Sequence, residues 1–457
     1  MAETKAKDVS DMGEPRPTPK ARVAIRAIAY GLMVLFGLSM LEIASYAYLR
    51  LFTGYDGKHL ITYEFDNYKN IRPTPNYHNA NGVHHNAQGF REDVDTSQRK
   101  APNTYRIFIM GGSTAYGLPS LSRYGQVKYS VIRNSETIDT YLEEYLQRKL
   151  GAKNKVEVIN AAITSHFSHH HLIYLNQTIL KYQPDMVIFI DGFNDYFSYA
   201  KGFDQFRDYA YQERASLYMG DPTIKAWVEY TGWWLFRKSH FIHLAAKTLR
   251  PIWIGLMTMG HERARINVDD ALANLAENAQ SNFLKMVERN ALILRYEGVV
   301  PVFVLQPELV FKQSKVFTEL ERNIYQELDQ QWQENLVEFK NKAKPLVVDY
   351  LTRSTAKTGA IFLDMTDIFG GFTGDAYTDY CHLTPIGNKR LAERIGERIL
   401  PHLDVKPGSH TLRERVGNSS SVPREAEVTS PRLARGSLGH FVQPKDLRYG
   451  GILHGSR

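Results

Sequence analysis

The chain has 457 residues, 43% of them hydrophobic and 23% charged, with 32 Gly and 19 Pro. That composition supports a buried core and excludes a wholly disordered chain, a collagen and a multi-span transporter; the length allows two or three domains, or one with long insertions. Of the net charge of +7, residues 405–457 supply nine basic against four acidic side chains. No basic stripe therefore lies in the core segments, and a nucleic-acid partner is not expected.

Residues 1–26 read as a disordered cytoplasmic tail, polar at first, with three prolines in the first twenty residues. Residues 27–52 (AIAYGLMVLFGLSMLEIASYAYLRLF) hold a 23-residue apolar run, Ala27 to Leu49, with one charge, Glu42. About 20 such residues span a bilayer, so a transmembrane helix is expected. Arg16, Lys20, Arg22 and Arg26 precede it, while acidic residues mix with Arg50 and Lys58 after it. That bias puts the N-terminus in the cytoplasm and the remainder in the periplasm or outside the cell. A cleaved leader is the alternative, but the run exceeds a typical leader core and no small-x-small site stands out beyond Ala44 and Ser45. Glu42 at this depth is costly unless it has a partner or reaches water.

Residues 53–103 are rich in Asn, Tyr, Pro and His and read as a loop-rich lead-in. Short apolar runs then alternate with helical patterns. The strands are expected at 106–110 (RIFIM), 156–159, 186–190 (MVIFI), 299–305 (VVPVFVL) and from 361. Helices are expected at 138–150, 169–182, within 268–297, at 317–344 and from Pro385, capped by Thr384, to about Leu400. Buried strands with helical crossovers predict an α/β fold, a flavodoxin-like three-layer α/β/α arrangement on a five-stranded parallel sheet over 104–404. Residues 200–266 interrupt it with an aromatic insertion. Its Trp227, Trp233, Trp234 and Trp253 pack as a subdomain core, line a sugar groove or rest at the membrane. Residues 405–457 lose periodicity and read as a disordered basic tail.

Ligands of such sheets bind beyond the carboxyl ends of the strands. There the chain places GGSTAYG (111–117), NAAITS (160–165) and DGFND (191–195), with DYCHLTPIGN (379–388) after the last strand. Ser113 supplies a nucleophile, His382 a base and Asp379 a carboxylate to fix the imidazole tautomer. The Ser113 and Ala162 backbone N–H groups and the Asn194 amide supply candidate oxyanion donors. The histidines at 166, 169, 170 and 171 are adjacent on one segment and point in different directions, so no metal is expected there, nor at His84 and His85. Cys381 is the one cysteine, which excludes an intramolecular disulfide; it reads as structural.

The ordered blocks resemble the SGNH, or GDSL-like, hydrolase superfamily. GGST surrounds Ser113, Asn160-Ala161-Ala162 stands for its Asn-Ala-Gly block, Gly192-Phe193-Asn194-Asp195 for Gly-x-Asn-Asp, and Asp379-Tyr380-Cys381-His382 for Asp-x-x-His. Asn86-Ala87-Gln88-Gly89-Phe90-Arg91 is similar to a lead-in of membrane-anchored bacterial members. Two positions depart from the pattern: Gly112 stands where the family name has Asp, and Ala162 where a glycine usually donates. The resemblance implies a serine esterase without metal or cofactor, acting on acylated saccharide or surface polymer. An O-acyltransferase or an inactive polysaccharide-binding protein is the alternative. Nothing in the sequence fixes the oligomeric state.

Overall fold

A computed structural model describes residues 18–403, except 67, 152–153, 196–223, 259–266, 279–282 and 332–334. The expectations for residues 1–17, for 200–223 and 259–266 of the insertion, and for the tail from 405 lie outside the described residues, as does the side chain of Trp253.

Five strands form one parallel sheet: β1 (Thr104–Gly111), β2 (Lys155–Asn160), β3 (Met186–Asp191), β4 (Val300–Leu305) and β5 (Ile361–Asp364), in the order β2-β1-β3-β4-β5. In register, Ile107 lies opposite Val158 of β2 and Met186 of β3, and Val302 opposite Ile361. Every residue of β1 is buried, and from Ile107 to Met110 it reads as a continuous apolar run rather than an alternating one. Successive side chains still go to opposite faces. Phe108, Met110, Phe189 and Phe303 enter one core, and Ile107, Ile109, Ile188, Ile190, Val302 and Val304 the other.

Helices cover both faces, giving the three-layer α/β/α fold. On the phenylalanine side, α4 (Ser168–Gln177), α8 (Leu284–Tyr296) and α10 (Leu336–Thr358) contribute Tyr174 and Leu175, Val287 and Leu294, and Phe339 and Val347. On the other, α3 (Ile138–Leu150) and α11 (Pro385–Ile399) contribute Leu142 and Leu146, and Leu391 and Ile395. The Thr384 hydroxyl accepts the Gly387 N–H at 3.0 Å and Pro385 opens α11, as the sequence predicts.

Several boundaries differ from the sequence reading. The first helix, α1, runs Pro19–Phe52, so residues 19–26 are helical rather than part of a disordered tail. Thr18 accepts the Ala21 N–H at 3.3 Å and Pro19 lies at the first helical position, which sets the start upstream of the apolar run. The segment expected as one helix at 317–344 is two, α9 (Glu319–Gln331) and α10, and α10 continues through Pro345 to Thr358. Burial of Ala343, Val347, Tyr350 and Leu351 outweighs the bond Pro345 removes. The helix after β2 ends at Gln177, followed by a separate 3-10 turn, Ile179–Tyr182. The 268–297 segment is α7 (Val268–Asn278) and α8. The insertion contributes α5 (Ile224–Lys238) and α6 (His240–Thr258). The lead-in forms two small antiparallel hairpins, Tyr63–Asp66 with Asn70–Pro73 and His78–Asn79 with Val83–His84.

Candidate active site

The strand order reverses between β1 and β3, and there the parallel-sheet rule puts a ligand crevice. Gly111 ends β1, and a Cβ there would meet the Ile190 carbonyl oxygen at 2.3 Å, so only glycine lets the chain leave the sheet this close to β3. Ser113 opens the one-turn helix α2 (Ser113–Tyr116) and stays partly exposed. Arg91 braces this turn from behind. It is 1% exposed, and its guanidinium donates to the carbonyls of Tyr116 at 2.5 Å and Gly117 at 2.7 Å, to Asn134 Oδ1 at 3.1 Å and to the Ile132 carbonyl.

The loop before α11 brings the other groups to Ser113. His382 Nε2 lies 2.8 Å from Ser113 Oγ, and His382 Nδ1 lies 2.7 Å from Asp379 Oδ2. Asp379 is fully buried and His382 is 1% exposed. Asp379 Oδ1 also accepts the N–H groups of Cys381 (3.0 Å) and His382 (2.9 Å), and Oδ2 that of Leu121 (2.8 Å). Burial raises the Asp379 pKa, but the imidazole and these backbone donors outweigh it and hold the carboxyl below its ordinary value. The carboxylate therefore stays charged beside the ring. Thr114 Oγ1 donates to the Cys381 carbonyl at 3.1 Å, and Ser120 Oγ to the Thr378 carbonyl at 2.7 Å, which ties the loop to the nucleophile's turn. Gly125 is required by the same contact, since a Cβ would lie 1.9 Å from the Thr378 oxygen.

The expected oxyanion donors divide. Asn194 stands against the nucleophile's turn: a Cβ on Gly112 would lie 2.6 Å from Asn194 Nδ2. Asn194 Nδ2 spends one hydrogen on the His166 carbonyl at 2.8 Å, which orients the amide and leaves its second hydrogen. Ala162 does not serve as expected. Its N–H donates to Asn160 Oδ1 at 3.1 Å, while Asn160 Nδ2 holds Asp139 Oδ1 at 2.6 Å and the Ala115 carbonyl at 3.2 Å. The Asn-Ala-Ala segment is a brace for the crevice wall. A further candidate donor, which sequence reasoning missed, is Ser165. It is exposed, has φ of +63° in a turn closed by His166 N to Ile163 O at 3.1 Å, and its N–H has no acceptor among the described residues. No residue type in ITSH announces a left-handed position; the absent glycine hides it.

The remaining histidines are structural parts of the wall. His166 Nε2 contacts the Lys69 carbonyl at 3.0 Å and its ring stacks on His170 at 4.4 Å; burial lowers the His166 pKa to about 3. His171 Nδ1 lies 3.2 Å from Asp191 Oδ2. His85 Nε2 meets Tyr116 OH at 2.8 Å, and His84 Nδ1 meets Asp93 Oδ1 at 2.8 Å. Among the described residues, the group of His, Cys and acidic side chains close enough to share an ion is Asp379, Cys381 and His382. There the carboxylate oxygens already accept N–H bonds, and burial pushes the Cys381 thiol well above its ordinary pKa, so the set suits a proton relay better than an ion.

No family model matches the chain, and no curated protein matches it. Solved structures do. An acetyl xylan esterase shares 12% identity at a TM-score of 0.32, over 64% of this chain and 99% of its own. A catalytic mutant of an acetylxylan esterase from Geobacillus stearothermophilus shares 12% at 0.31, over 65% and 94%. An alpha/beta hydrolase enzyme from the metagenome of Lake Arreo shares 10% at 0.31, over 63% and 91%. At these scores the likenesses carry no argument about activity.

Proposed function

We propose that the chain is a serine esterase of the SGNH type, removing acyl groups, acetyl in particular, from a saccharide or cell-surface polymer. The observation that carries this reading is the continuous relay of Ser113 Oγ, His382 Nε2, His382 Nδ1 and Asp379 Oδ2, at 2.8 and 2.7 Å, around a partly exposed hydroxyl.

Ser113 Oγ attacks the ester carbonyl as its proton passes to His382 Nε2. Asp379 offsets the imidazolium charge without taking the proton. The oxyanion is met by the Ser113 N–H, the free hydrogen of Asn194 Nδ2 and the Ser165 N–H, which takes the place expected for Ala162. The imidazolium then protonates the departing sugar hydroxyl, leaving an acyl-serine. Water attacks that ester with His382 again as base, and Ser113 and the free acid are regenerated.

The saccharide preference follows the resemblance of the ordered motifs. We further propose that α1 is a retained single-pass anchor, with the N-terminus cytoplasmic and the hydrolase domain periplasmic or extracellular. The helix is long and apolar enough to cross a membrane, a test that a leader near the N-terminus also passes. A retained anchor is favoured by the bonds Glu42 makes to the insertion, because a discarded leader has no need of partners in the mature domain. Hydrolysis of p-nitrophenyl acetate by the full chain, beside Ser113→Ala, tests the chemistry. Loss of turnover in the variant is expected; equal rates overturn the reading. Acetate release from an acetylated polysaccharide without added acceptor separates hydrolysis from transfer.

A further inference from the structure

The relay leaves the aromatic insertion without a role. Its two described helices do not stand apart from the anchor. The corner between α5 and α6 closes on Glu42: Ser239 Oγ donates at 2.7 Å, the N–H groups of His240 and Phe241 at 2.6 and 3.1 Å, and His240 Nδ1 lies at 2.6 Å. Ser239 Oγ in turn accepts the Ile242 N–H at 3.1 Å. The first turn of a helix has N–H groups with no partner in the helix, and in lipid each must find one. Glu42 supplies acceptors for that turn, and the turn supplies donors for a carboxylate placed in an apolar run. Both needs are sharper away from water, where neither group has a solvent partner to fall back on. On α1 the buried positions Ser45 and Leu49 lie one and two turns beyond Glu42, on the same side.

This clasp fixes depth. Glu42 is seven residues inside the Leu49 end of the apolar run, roughly 10 Å along the helix. If α1 spans, the α5–α6 corner sits at or below the outer interface. From that corner α5 runs with an exposed apolar stripe: Trp227 and Tyr230 are each 56% exposed and Trp234 is 51%, at spacings of three and four, with Ile224 and Val228 beside them. Trp and Tyr on a helix at that depth favour the headgroup boundary. Two residues before the corner, Arg237 holds α5 to the lead-in: its Nη2 lies 3.1 Å from Glu64 Oε2 in the first hairpin.

We propose that the α5–α6 hairpin is a second membrane element, an interfacial one, whose Trp227, Tyr230 and Trp234 face enters the lipid beside α1. The occupant of this face is the bilayer, because the corner is bonded to the anchor within its apolar run. The inference rests on the reading of α1 as a retained anchor. Of the chain's five tryptophans none lies in α1 and four (227, 233, 234 and 253) lie in the hairpin, so with Trp332→Phe as the background the emission reports the hairpin and not the anchor.

The test uses the full chain reconstituted into phosphatidylcholine vesicles, with plain or 6,7-dibrominated acyl chains. Tryptophan emission should fall about twofold in brominated vesicles, as expected for rings at the boundary, and the W227F/W234F variant should lose at least half of that quenching. These residues are exposed, so the variant keeps its fold. A second chain carries Phe36→Trp in α1, with all five native tryptophans (227, 233, 234, 253 and 332) changed to Phe. Quenching of Trp at 36 with none of the native emission overturns the hairpin proposal and leaves the anchor standing; a second copy or a saccharide on the face gives this result. Quenching unchanged in W227F/W234F also overturns it. Absence of quenching in both chains overturns the anchor, and the hairpin proposal with it.

Discussion

Two Asp–His pairs lie at the carboxyl end of the sheet, and they serve different ends. Asp379 and His382 meet at 2.7 Å, and the second ring nitrogen reaches a hydroxyl that solvent can enter. Asp191 and His171 meet at 3.2 Å behind the Asn194 turn, with the imidazole 1% exposed and no hydroxyl nucleophile bonded to it. Beside that second pair, Asp195 accepts from Ser168 Oγ at 2.7 Å and Ser168 N at 3.2 Å, and the fully buried Glu308–Lys340 pair closes at 3.0 Å. The residue types are shared. What separates a relay from a wall is whether the chain of polar atoms ends at an accessible group, and how the carboxylate is solvated. Asp379 has backbone donors on both oxygens and is held charged. Asp195 is pushed up to about 7, by burial first and by the neighbouring Asp191 second.

The contrast is broken most easily at the relay. Asp379→Asn keeps the shape but offers the ring a donor where it needs an acceptor, so kcat on p-nitrophenyl acetate should fall by about 10⁴-fold with little change in KM. A loss below tenfold would make Asp379 part of the wall instead. Asn194→Ala removes one oxyanion donor and should lower kcat by roughly 10²–10³-fold, read under the same conditions.

The sealed pair should answer to stability rather than to turnover. The native Asp195 carboxyl holds its proton more tightly than the unfolded chain, whose carboxyl has the ordinary value of 3.8. Its contribution is therefore present in full below 3.8 and is lost as pH rises through about 7. Thermal unfolding of the wild type should show stability falling between pH 4 and pH 7.5, by an amount on the order of a few kcal/mol. Asp195→Asn should flatten that slope measurably. The remainder is shared: burial also raises the carboxyls of Glu92, Asp139, Glu143 and Glu308, and at His171 burial opposes the charge but Asp191 outweighs it and raises the pKa, so these contributions too are lost as pH rises. A variant with an undiminished slope would assign the effect elsewhere. The smallest effect is expected at Ser165. Its donor is backbone and its φ suits glycine, so Ser165→Gly should keep kcat within about threefold.

The strands were legible because β1, β3 and β4 are continuous apolar runs ending at Gly111, at Asp191-Gly192 and at Gln306. The relay was legible because motif order and strand ends together leave few arrangements for Ser113, Asp379 and His382. Helix ends were harder. Charged residues on α9 and α10 continue one pattern across two helices, and Pro345 was overridden by core packing that spacing does not report. The third donor was hidden for a different reason. Whether an N–H is free depends on where a neighbouring side chain turns: Asn160 takes the Ala162 hydrogen, and among the described residues no acceptor takes that of Ser165. Glu42 looked anomalous in a spanning helix because its partners lie nearly two hundred residues away in the chain.

The most direct measurement is covalent labelling of the full chain with a fluorophosphonate, followed by peptide mapping. The account predicts one adduct, on Ser113, abolished by His382→Ala. An unlabelled chain under conditions where it is folded, or an adduct on another residue that survives Ser113→Ala, would contradict it.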